Sequence, residues 1–103
     1  MSIHKKVRQL VADKKSNIKD KEFFTSSVLR RHFEDIAYGI TQKFGKERVV
    51  VQFEWNDDPQ ASIAYTNGLK VVINTGSDFL KDTDRNERYQ LAYGLNSHEL
   101  GHI

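Results

Sequence analysis

Near its carboxyl end the chain reads Ser97-His98-Glu99-Leu100-Gly101-His102, an instance of the pattern H-E-x-x-H. Two imidazoles four residues apart on a helix are separated by only about 40° around its axis, so His98 and His102 point the same way and can hold one Zn²⁺. Glu99 lies about 100° from His98, near such a metal but off the histidine face. That position suits a general base acting on a water and is poor for a third ligand. Catalytic zinc sites carry three protein ligands and a water. The pattern names only two ligands, and the upstream carboxylates Glu54, Asp57 and Glu87 are not singled out by it.

The motif must be carried by a helix, and the chain supplies one. Asp84 followed three residues later by Glu87 is a capping signal, and it predicts a long helix from about Arg85 to the chain end. On that helix Leu91, Leu95, His98 and His102 share one side, which makes the metal-facing side apolar upstream of the motif. Gly94, Ser97 and Gly101 form a second stripe of small residues. Each glycine costs roughly 1 kcal/mol in a helix, so another backbone is expected to cross close to this stripe.

Upstream, Ile3, Val7, Leu10 and Val11 fall at i, i+4, i+7 and i+8, a short amphipathic helix. Ser16 to Asp20 reads as a connection to a second helix, with Leu29, Phe33, Ile36, Ala37, Ile40 and Phe44 on its apolar face and Gly45 ending it. His32 sits beside that face, and both it and His4 read as structural histidines without a second ligand at helical spacing. From Arg48 the period becomes two: Val49, Val51, Phe53 and Trp55 alternate with Val50, Gln52 and Glu54. Asn56-Asp57-Asp58-Pro59 breaks that strand. Strands over 61–66 and 69–74 flank Asn67-Gly68, a pair suited to a two-residue hairpin turn. Ser77 is placed to cap a short helical turn carrying Phe79 and Leu80. The expected fold is α+β, a single domain over 1–103: two N-terminal helices, a small antiparallel three-stranded sheet, then the long helix bearing the motif.

Composition sets the limits of the chemistry. Apolar residues at 38% and charged residues at 29% describe a globular chain that can build one core. No cysteine is present, which excludes disulfides and thiolate zinc cages, so a metal must be held by histidine and carboxylate. Neither a signal peptide nor an apolar run long enough for a bilayer occurs, and the expected location is cytoplasmic, with no membrane partner. Charge is divided unevenly: residues 1–48 hold 12 Lys/Arg against 6 Asp/Glu, and residues 49–103 hold 4 against 8.

With the motif on a helix that follows a sheet, the chain resembles the zincin metallopeptidases, whose active-site helix carries HExxH beside a sheet with a substrate-binding edge strand. More narrowly, Leu95-Asn96-Ser97-His98-Glu99-Leu100-Gly101-His102-Ile103, behind a Thr66-Asn67-Gly68 hairpin ending at Asn74, is similar to metallopeptidase domains of bacterial and phage proteins, some of which continue into a von Willebrand A-like domain. The resemblance covers residues 61–103. It implies that His98 and His102 ligate zinc and that Glu99 takes a proton from the metal-activated water as it attacks a peptide carbonyl. A peptide or protein would be the substrate. In the zincins with this short motif the third ligand lies downstream, so these residues are expected to be the N-terminal part of a longer metallopeptidase, binding zinc weakly and hydrolysing little by themselves. The competing reading is a non-catalytic binding or scaffold module, in which Lys5, Lys6, Arg8, Lys14, Lys15, Arg30 and Arg31 contact nucleic acid or an acidic protein.

Overall fold

A computed structural model describes residues 2–13, 18–44, 48–67 and 70–101. Helix α1 spans Ile3–Ala12, with the Ser2 hydroxyl accepting the Lys5 amide. Helix α2, Asp20–Phe24, and helix α3, Ser27–Thr41, follow, and α3 passes into a 3-10 turn over Gln42–Phe44. Three strands come next: β1 Val50–Glu54, β2 Ala64–Asn67 and β3 Lys70–Asn74. A 3-10 turn, Asp78–Leu80, capped by Ser77 as its sequence suggests, leads into helix α4, Arg85–Leu100. The fold is α+β, with α3 packed over β1 and α4 over β2 and β3.

One N-terminal helix more than expected is present, in the segment that includes Asp20. Phe23 and Phe24 are adjacent, so they produce no helical period, yet both are buried and meet edge to face at 4.9 Å between ring centroids. Asp20 and Glu22 favour the positive end of this short helix. Immediately afterwards Ser26 starts α3 by accepting the Leu29 amide at 3.2 Å. The buried face of α3 is Leu29, His32, Phe33, Ala37 and Thr41, while Ile40 is exposed. Gly45, expected to end this helix, lies outside the described residues.

The sheet is not the antiparallel arrangement expected from three successive strands. Its order is β1-β3-β2; β1 pairs with β3 in parallel, Val51 opposite Val71 and Phe53 opposite Ile73, and β2 pairs with β3 antiparallel. The central place goes to the strand that is apolar on both faces, since Val71, Val72 and Ile73 are all buried. β2, Ala-Tyr-Thr-Asn, is too polar for that place and takes an edge. Asn67 is the last residue of β2, paired with Lys70 and therefore not a turn residue; Gly68 lies outside the described residues. On the other edge, Glu34 Oε2 accepts the Val51 amide at 3.0 Å and covers an otherwise open donor of β1.

The face of the sheet that carries Val51, Val71 and Ile73 meets the helices in one core with Val7, Phe23, Phe24, Leu29, Phe33, Ala37, Ala92 and Leu100. Phe53 and Trp55 extend that face, in keeping with the alternation of β1. Beyond β1, the Asn56 and Asp58 side chains accept the amides two residues ahead of each, the turn chemistry expected of this run. Gly76 then passes so close to Trp55 that a Cβ there would lie 2.4 Å from the indole and 2.8 Å from the Trp55 Cα. Because the second contact is with backbone, the clash cannot be relieved by a rotamer. Gly76→Ala is expected to cost about 2 kcal/mol or more of unfolding free energy, measured by urea denaturation.

Candidate metal centre

The helix that bears the motif is fixed at its start by polar contacts. Asp84 Oδ1 accepts the Glu87 amide at 2.8 Å, as its capping signal predicts. Arg85 Nε donates to Asp20 Oδ1 at 2.9 Å, and the same guanidinium donates to the carbonyls of Leu10 and Ile18, tying α4 to α1 and α2. One turn on, Arg88 is buried without a carboxylate directly against it. It donates to Thr75 O at 3.0 Å, Leu80 O at 2.9 Å and Thr83 Oγ1 at 3.3 Å, and packs over Trp55 and Phe24. Burial lowers its pKa, and Asp20 opposes the shift. Arg88 thereby joins the 75–83 segment to α4, a role that a charged side chain near the start of a helix does not advertise.

From this anchor the inward stripe runs Arg88, Ala92, Asn96 and Leu100 at intervals of four. The expected apolar side of α4 is therefore corrected. Leu91 is 44% exposed, His98 is exposed and Leu95 only half-buried, so the side that carries His98 looks toward solvent. Two of the four inward positions are polar, which is why the apolar residues of this helix mislead about its buried face. The close backbone crossing expected over the small residues is also absent among the described residues. Nothing lies within 4 Å of a Cβ built on Gly94, and a Cβ on Gly101 would meet only the His98 carbonyl oxygen, at 3.2 Å.

Leu100, buried in the core, pins the last turn and leaves His98 outside with Glu99 half-buried beside it. His102 lies outside the described residues, as does Ile103. Among the described residues no three His, Asp or Glu side chains come together as a metal-holding group. The donor types nevertheless suit Zn²⁺, which takes neutral imidazole nitrogen and carboxylate oxygen. Position adds to this, because the carboxyl end of a helix carries partial negative charge and favours a cation. Asn96, 1% exposed and two residues before His98, has no hydrogen-bond partner for its side-chain nitrogen or oxygen among the described residues.

The described basic residues of the competing reading lie on α1 and α3. Arg30 is paired with Glu34 at 2.8 Å; Lys5, Lys6, Arg8 and Arg31 are exposed; Lys14 and Lys15 lie outside the described residues. No helix among the described residues is long and apolar enough to cross a membrane. Between the segment that precedes β2 and the one that follows β3, Pro59, Ala61, Ile63, Ser77, Asp78 and Phe79 line a depression of about 310 Å³, with Phe79 80% exposed. Comparison with protein-family models, with curated proteins and with solved structures finds no match for this chain.

Proposed function

We propose that this chain is a zinc-dependent metallopeptidase domain, with His98 and His102 as zinc ligands and Glu99 as the general base. The observation that carries the reading is the delivery of His98 and Glu99 in the last turn of a helix capped by Asp84 and anchored by Arg85 and Arg88. His98 is an exposed residue at the helix end that favours a cation, and Glu99 beside it is half-buried. When bound, Zn²⁺ supplies a water acidified toward a pKa of about 7 and polarises the scissile carbonyl. Glu99 accepts the proton from the attacking water and returns it to the leaving amide nitrogen. The outer edge of β2 can take an extended peptide as an added strand, with main-chain hydrogen bonds supplying affinity and the depression at Phe79 receiving a side chain.

Zinc titration, with metal content read by elemental analysis, tests the assignment. The protein is expected to take up one Zn²⁺, and His98→Ala to weaken its affinity by at least about 100-fold, more than loss of an outer-shell partner costs. Equal zinc uptake by the protein and the variant would remove His98 from the site and the reading with it.

A further inference from the structure

Away from the motif, a chain of polar contacts crosses the helical layer. Tyr89 Oη on α4 lies 2.6 Å from His32 Nε2 on α3, and His32 Nδ1 lies 2.7 Å from His4 Nδ1 on α1. His4 Nε2 is 3.6 Å from Asp35 Oδ2, and Asp35 Oδ1 is 3.5 Å from Arg48 Nη1. The Asp35 carboxylate, beyond hydrogen-bond length from His4 Nε2, favours the His4 tautomer with hydrogen on that nitrogen; the bare Nδ1 of His4 then accepts from His32 Nδ1–H, and the bare Nε2 of His32 accepts from the Tyr89 phenol. Burial and the neighbouring Tyr93 raise the Tyr89 pKa, which keeps that phenol a donor, with Arg8 opposing. With both imidazoles neutral, the His4–His32 and His32–Tyr89 hydrogen bonds each have one donor and one acceptor.

Two protonated rings cannot share this geometry, since N–H would then face N–H at 2.7 Å. We propose that the His4–His32 pair is an acid-sensitive latch that holds α1 on α3 and α4 and releases it in acid, where two N–H groups would have to face each other. The groups facing the pair are Arg8 from α1, Asp35 from α3, Tyr89 and Tyr93 from α4, and Arg48 ahead of β1. His32 is 4% exposed, and burial first, then His4 and Arg8, lower its pKa to about 4, with Asp35 opposing. Its folded pKa is thus below its ordinary value of 6.5, so the stability it contributes is complete above pH 6.5 and is lost as pH falls toward about 4. Helix α1 is the element that gives way. It has one fully buried residue, Val7, whereas β3 has three buried apolar residues in a row.

Amide hydrogen exchange of the whole chain, corrected for intrinsic pH dependence and followed by NMR together with the ring nitrogen signals of His4 and His32, tests the latch. Protection of the α1 amides is expected to fall by about tenfold per pH unit below pH 6.5, as His32 titrates, while the β3 amides keep theirs. At neutral pH the ring signals should show hydrogen on His32 Nδ1 and on His4 Nε2. In His32→Gln, whose neutral amide can both donate to His4 and accept from Tyr89, the pH step should vanish. Three results would overturn the proposal: α1 protection that does not change with pH, loss of β3 protection in parallel with α1, or titration of the His32 ring without faster α1 exchange. The wild-type measurements decide the matter even if His32→Gln does not fold.

Discussion

Glu99→Gln, in a protein that holds all three zinc ligands, is expected to lower the hydrolysis of an unfolded protein substrate by about 10²–10⁴-fold while leaving zinc uptake unchanged. The amide keeps the shape of the carboxylate but cannot accept the proton of the attacking water, so the chemical step fails and the metal site stays intact. His98→Ala should fail differently, losing metal and rate together. The contrast separates a base from a ligand. It is read by measuring zinc content and initial rates on the same zinc-loaded preparations. Equal rates for Glu99→Gln and the parent chain would refute the role given to Glu99.

Arg88→Ala is expected to destabilise the fold by about 3 kcal/mol or more, lowering the melting temperature by about 12 °C or more. The substitution removes the donors that reach Thr75 O, Leu80 O and Thr83 Oγ1, and it leaves a void beside Trp55 and Phe24. Arg88→Lys should recover only a small part of the loss, because an ammonium is compact and cannot spread flat between two aromatic rings while reaching both carbonyls. Thermal denaturation of the three proteins tests this. A melting temperature for Arg88→Ala within about 3 °C of the parent would show that the aliphatic and aromatic neighbours hold the 75–83 segment without the guanidinium.

Both substitutions act on α4, but the roles of the two residues differ in how far they can be read from the chain. The role proposed for Glu99 is legible because its signal is local: the spacing of His98, Glu99 and His102 has meaning on any helix, and Asp84 with Glu87 announces that helix. Arg88 is invisible because its partners, Thr75, Leu80, Thr83, Trp55 and Phe24, come together only in the folded molecule. The same holds for His32, a plain structural histidine by spacing, whose partners His4 and Tyr89 stand 28 and 57 residues away.

By itself the sequence determined the elements whose causes lie within a few residues. These are the stripe of α1, the Ser77 and Asp84 caps, the alternation of β1 and the Asn56–Pro59 break, each set by side-chain period or by a side chain reaching its own backbone. Tertiary structure alone decided which strand lies at the centre of the sheet and which side of α4 is buried. The first follows from competition among strands: β3, apolar on both faces, displaces polar β2 to the edge and so pairs in parallel with β1. The second follows from distant partners. Arg88 can go inward because remote carbonyls and rings receive it, and with that stripe inside, geometry turns Leu91 and His98 outward. A histidine presented to solvent at the end of an anchored helix is therefore a property of the fold, while its pairing with Glu99 and His102 is a property of the chain.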